Sequence, residues 1–161
     1  MINHALAATA LLDQVESSDY GRCYQVLLDL AEIATECPSK LSNLTTSQLK
    51  SLLSTQGTVK PLTNLVLILH RDRSIKIIPK VLSAFERQLR RLGIPIIKID
   101  YAKTQVDETE IKKQFGSNSI IISRLDSNLL AGVRLTVSDQ TYENSLRQQL
   151  RQISLALNTS E

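Results

Sequence analysis

The sequence predicts an α+β protein in two parts: an N-terminal six-helix bundle over residues 1–93, then a small α+β domain over residues 94–161. Three observations carry that reading. Apolar residues recur at three-four spacing through the first part, the signature of amphipathic helices. After Gly93 and Pro95 the pattern changes to alternation, the signature of half-buried strands. The chain is also rich in Leu, Ile and Val, with only 5 glycines and 4 prolines, which leaves little material for a many-stranded sheet with tight turns.

The first element is the run Ala5 to Leu12, a strong helix former with small residues on most faces. Such a helix either packs tightly inside its own bundle or lets another helix approach closely. Ser17, Ser18 and Asp19 form a capping cluster ahead of a second helix, Tyr20 to Glu36, whose apolar stripe is Cys23, Val26, Leu27, Leu30, Ile33 and Cys37. Pro38 stops it, and a polar connector with two short turns follows. Thr46 is the expected cap of a short helix around Gln48 to Ser54, which Gly57 breaks.

Val59 to Arg71 is the next helix. Leu65, Val66, Leu67, Ile68 and Leu69 are apolar all round, so it is expected either at the centre of the bundle or with one face receiving a partner. Asp72, Arg73 and Ser74 make a polar corner. Another helix follows with Ile75, Ile78, Leu82, Phe85, Leu89 and Leu92 at three-four spacing, and Pro79 belongs in its early turns. Arg87, Arg90 and Arg91 lie on its polar side. The plain reading of that cluster is a solvated face near a helix C-terminus; the sharper ones are an acidic partner or nucleic acid.

In the second part Ile97, Ile99 and Tyr101 alternate with Lys98 and Asp100 and read as a strand. Asp107 to Phe115 suggests a short charged helix. Ile120 to Ile122 reads as a buried strand, and Val133, Leu135 and Val137 as a half-buried one. Ser145 and Gln148 form a capping box for a terminal helix with the stripe Leu146, Leu150, Ile153 and Leu157.

The formal charge of +3 is too mild to imply nucleic acid, and aromatics at 4% leave little for base stacking. Cys23 and Cys37, if carried by one helix, lie about 21 Å apart and cannot bridge, which fits a reducing compartment. No run of about 18 apolar residues crosses a membrane. The N-terminal residues lack a basic leader pattern, so a primary product with this start is expected to stay where it is made. His4 and His70 have no partners at metal-ligand spacing, and no phosphate loop or nucleophile elbow occurs. Asp107, Glu108 and Glu110 fit a solvated helix N-terminus. No cofactor and no catalysis are expected.

The stretch Asp126 to Leu150 carries the most specific pattern. Asp126, Gly132, the strand Val133 to Val137, Asp139, Glu143, Asn144, Ser145, Leu146, Arg147 and Leu150 are similar, without a gap, to the terminal signature of the delta-subunit family of rotary F-type ATP synthases, the oligomycin-sensitivity-conferring family. Ala131 and Ser138 replace glycines of that signature, Glu143 replaces Asp, and Asn144 stands where Gly is usual; Asn also tolerates a left-handed backbone. Asn64 to Pro79, with Leu82 and Phe85, resembles the family's fifth and sixth helices, with Arg73 at the usual Gly of the corner. Leu6 to Leu11 resembles its first helix, with the Tyr lost.

The resemblance implies a mechanical role. It places the N-terminal helix of an alpha subunit in a groove between the first and fifth helices, here Leu6, Ala7 and Ala10 facing Asn64, Leu65 and Ile68. It gives the C-terminal domain the end of a b-type stalk, with Gly132, Asn144, Ser145, Leu146, Leu150 and Ile153 as the signature positions; the stripe alone also suits internal packing. It implies no nucleic acid, no membrane insertion, and a peripheral place on the cytoplasmic face of a bacterial plasma membrane, or in an organelle matrix or stroma for an imported chain. The competing class is a nucleic-acid-binding helical bundle of the antitermination-factor kind, using Lys80, Arg87, Arg90 and Arg91. An enzyme with an unrecognised site is a third reading.

Overall fold

The protein is described by a computed structural model over residues 3–103, 108–129, 131–137 and 140–145. It is an α+β structure that divides into two compact units, Met1–Gly93 and Ile94–Glu161.

The first unit is helical. α1 (His4–Gln14) starts on Asn3, whose side chain accepts from the Ala5 amide at 2.9 Å. A 3-10 turn, Ser17–Asp19, leads into α2 (Tyr20–Glu36). The expected cap does not form there. No side chain of that cluster caps the helix, and the Asp19 carboxylate lies 3.5 Å from Arg22 instead. Pro38 does more than end α2: it occupies the first turn of a short helix, α3 (Pro38–Ser42), where its missing N–H costs nothing. α4 (Thr46–Thr55) is capped by Thr45 rather than Thr46. The Thr45 amide donates to Gln48 Oε1 at 2.8 Å and the Gln48 amide donates to Thr45 Oγ1 at 3.3 Å, a reciprocal capping box. Gly57 follows at φ 63°, a conformation that favours glycine.

α5 (Lys60–Arg71) and α6 (Ile78–Arg91) each carry a proline in the first turn, and a 3-10 turn, Ile75–Ile77, joins the corner to α6. α5 is not the all-round buried helix its apolar run suggests. Leu62, Val66 and Leu69 are buried, Leu65 and Leu67 are half-buried, and Ile68 is 47% exposed. Its neighbours are α4, α1 and the 3-10 turn before α6, and they leave Asn64 and Ile68 exposed. α6 takes the central role, packing on both α1 and α2. Ile78, Val81, Leu82, Phe85 and Leu89 are buried, while Leu92 caps the helix end and stays exposed. Two polar or aromatic contacts pin α6 to α2: the Tyr24 hydroxyl donates to Glu86, and the Tyr20 and Phe85 rings meet edge to face at 6.3 Å.

The second unit contains β1 (Ile96–Tyr101), α7 (Glu108–Phe115), β2 (Ile120–Leu125), β3 (Gly132–Val137) and β4 (Gln140–Ser145). The sheet order is β2-β1-β3-β4. β1 and β2 are parallel, with Ile97 beside Ile121; β1–β3 and β3–β4 are antiparallel, with Ile99 opposite Leu135 and Leu135 opposite Tyr142. Ile97, Ile99 and Ile111 of α7 form a core, flanked by Phe115, Ile121, Val133, Leu135 and Val137. On the other face of the sheet Ile96, Ile120 and Ile122 are also buried.

β4 was not among the expected strands. Residues that the resemblance assigns to a turn pair along β3, from Val137 beside Gln140 to Gly132 beside Ser145. Asn144 accordingly sits in an extended ladder opposite Val133, not in a left-handed turn. The helix expected after Ser145, with Leu146, Gln148, Leu150, Ile153 and Leu157, lies outside the described residues, as do 104–107 ahead of α7. Among the described residues no helix is long and apolar enough to cross a membrane.

Candidate functional site

Two helices of the first unit leave a cleft open between them. Along α1, Ala8 and Leu11 point into the core. The next face round the helix presents Ala7, Ala10 and Gln14, because positions three and four apart stack on one side. α5 answers with Pro61, Asn64, Leu65 and Ile68 at the same spacing. Together with the edge of Leu11 these side chains enclose about 150 Å³. Among the described residues no charged side chain lines the cleft. Its floor is aliphatic and its only side-chain polar groups are the amides of Gln14 and Asn64.

The small residues decide what this cleft can do. Ala7 and Ala10 keep the wall of α1 low, so a ridge of side chains from another helix can settle close to the backbone. Ile68 stands exposed at the margin, and Leu6 is 69% exposed. Five of the six expected residues, Ala7, Ala10, Asn64, Leu65 and Ile68, line one cleft; Leu6 lies outside its lining. Gln14 and Pro61 were missed. Helical period would have found both, since Gln14 is four residues past Ala10 and Pro61 four before Leu65.

In the second unit the signature positions Gly132, Asn144 and Ser145 meet at one end of the β3–β4 ladder. Gly132 has φ 95°, which a side chain would strain. Leu146, Leu150 and Ile153 lie outside the described residues. The feature missed here is Arg134. Its guanidinium lies 3.7 Å from Asp100, 3.4 Å from Asp126 and 3.5 Å from Glu143. It thus ties β1, the turn after β2, and β4 to β3. The signal was present: Asp126 opens the signature and Glu143 stands at an acidic position of it, and both turn out to serve one cation.

Neither cysteine forms a reactive pair. Cys23 is fully buried, and burial, reinforced by the Asp19 carboxylate, pushes its thiol from 9.0 up to about 12. Among the described residues no group of three or more His, Cys, Asp or Glu is arranged to hold a metal.

A family model described as "ATP synthase delta (OSCP) subunit" matches residues 8–157. No curated protein matches the chain. Among solved structures, a chain of the cryo-EM structure of the Toxoplasma gondii mitochondrial ATP synthase hexamer is similar at 13% identity and a TM-score of 0.50, over 98% of this chain and 98% of that one. At that identity the likeness is one of fold.

Proposed function

Because the chain belongs to the ATP synthase delta (OSCP) family, we propose that this non-catalytic stator subunit links the alpha subunits of the catalytic head to a b-type peripheral stalk. The observation that carries the reading is the open, uncharged cleft between α1 and α5. Its low floor and aliphatic rim suit the N-terminal helix of an alpha subunit, laid in as a helix in a groove. The helical unit, read as the six-helix bundle of the family, then serves the head. The second unit serves the stalk, with the strands around Gly132 and the signature that follows as its contact region.

The physical requirement is a static tie. Torque on a rotor turns the head as well unless something holds the head still. A connector of this kind works by tight binding at both ends, and it carries no nucleotide and no proton. Its place is peripheral, on the cytoplasmic face of a bacterial plasma membrane or on the matrix or stromal side in an organelle. Family membership favours this role over the nucleic-acid reading of Arg87, Arg90 and Arg91.

Ala10→Arg is the direct test. Ala10 is exposed, so the variant should melt like the parent by circular dichroism, while an arginine there fills and charges the cleft. Binding of a synthetic alpha-subunit N-terminal peptide, read by titration calorimetry, should weaken by about tenfold or more, the scale of placing a charge in an apolar contact. Unchanged affinity in a folded variant would remove the peptide from this cleft.

A further inference from the structure

A second groove runs beside α1, against α6, and its chemistry is the opposite of the first. It encloses about 340 Å³. Ala5 of α1 and Pro79, Ser83 and Ala84 of α6 make its floor, all small or compact. Ser83 spends its hydroxyl internally, donating to the Pro79 carbonyl at 3.0 Å. Above the floor stand Lys80 and Arg87, both exposed, with His4 beside them, and among the described residues no carboxylate lines the groove. Neither cation pairs with a carboxylate among the described residues. The walls are fixed relative to each other, since α1 packs on α6 and Gln88 Nε2 donates to Thr9 Oγ1 at 3.4 Å.

We propose that this groove docks an acidic partner helix bearing carboxylates seven residues apart on a face of small residues. The spacing follows from α6 itself. Lys80 and Arg87 are seven residues apart, two turns, which separates their Cα atoms by about 10.5 Å along the axis. A helix lying alongside α6 repeats its own face at the same interval, so Asp or Glu at i and i+7 reach one cation each. Ala5 and Ala84 leave room for the partner's backbone, as close helix packing requires. A single phosphate group answers only one of two cations set two turns apart, whereas a helix with carboxylates at that interval answers both. This site is independent of the α1–α5 cleft, which has no charge to offer.

The test uses the full chain and a fluorescein-labelled, alanine-based helical peptide of about 20 residues, long enough to hold helix. One version carries Glu at i and i+7, a second carries Gln at both, and a third carries Glu at i and i+5, which places the carboxylates on different faces. By anisotropy the first should bind about tenfold tighter than the other two, two charge pairs at a few-fold each. Lys80→Glu with Arg87→Glu should abolish that preference and transfer it to a peptide with Lys at i and i+7. Both positions are exposed, so the variant should fold, which circular dichroism checks. Ala10→Arg should leave this binding untouched, which separates it from the alpha-subunit reading. Equal binding of the i+5 peptide, indifference to charge reversal, or competition by inorganic phosphate or a homopolymeric RNA as strong as by the unlabelled peptide would each overturn the proposal.

Discussion

Cys23 shows how one buried atom sets a pH limit on the fold. Its thiol sits in the α2 core, where burial and then the Asp19 carboxylate push ionisation from 9.0 up to about 12. The unfolded chain releases this proton earlier than the folded one. Stability therefore holds in full below pH 9 and falls as pH rises from there towards about 12, by up to about 1.4 kcal/mol per pH unit. Urea melts at pH 8 and pH 10.5 should show this loss, and Cys23→Ala should reduce the pH dependence even though it leaves a small void. A melt whose pH slope is unaffected by the substitution would assign the loss to other groups. Arg73 teaches the complementary lesson. It sits at φ 54°, a left-handed conformation that costs a side chain about 1 kcal/mol, at the corner where the family usually has glycine. The backbone requirement persists although the residue type that meets it most easily is gone.

Among the elements, Arg134 is the clearest test of how the sheet is held. Three carboxylates from β1, the turn after β2, and β4 converge on it, and its side chain is 29% exposed. Arg134→Met keeps the length and removes the charge, leaving Asp100, Asp126 and Glu143 to repel one another. The expected cost is about 1–2 kcal/mol, a few partly screened pairs, seen as a lower denaturation midpoint with the helical unit unaffected. Sequence pattern reached most of the helices and three of the strands: the period is three-four in α2 and α6 and two in β1 and β3, while β2 was read from its β-branched run and α3 was read only as part of a connector. β4 carries none. Gln140, Thr141, Glu143, Asn144 and Ser145 are polar and only Tyr142 is large and apolar, so the strand exists through pairing with β3 and not through its own pattern. The exchange of roles between α5 and α6 was hidden for a related reason. Hydrophobicity says that a helix is willing to be buried, while its neighbours decide whether it is; α5 packs on α4, α1 and the 3-10 turn before α6, and Ile68 is left 47% exposed. The cleft opens on that exposed side of α5, where composition alone suggests burial. The α1–α5 positions were reached through family resemblance, and Arg134 was reached only once register placed Glu143 opposite it.

At the scale of the whole molecule, the change of period after Gly93 falls where one compact unit ends and the next begins. Gly93 itself has φ 71° and Pro95 follows two residues later, so the helix stop and the strand start are separated by four residues, 92–95. Limited proteolysis should cut near this link and release a stable fragment close to residues 1–93, identified by mass spectrometry. That fragment should hold the alpha-subunit peptide with the affinity of the full chain and should not bind a b-type stalk peptide. Retention of stalk binding by the fragment would move the stalk contact out of the second unit.

The packing of α1 on α6 has a consequence for the order of events during synthesis. An isolated helix as short as α1 is marginal in water, and its main support in the unit is the last helix to leave the ribosome's exit tunnel. Both grooves use α1 as a wall, so neither exists until α6 has arrived and closed the chain on its own beginning. A nascent chain that ends before α6 therefore presents neither groove.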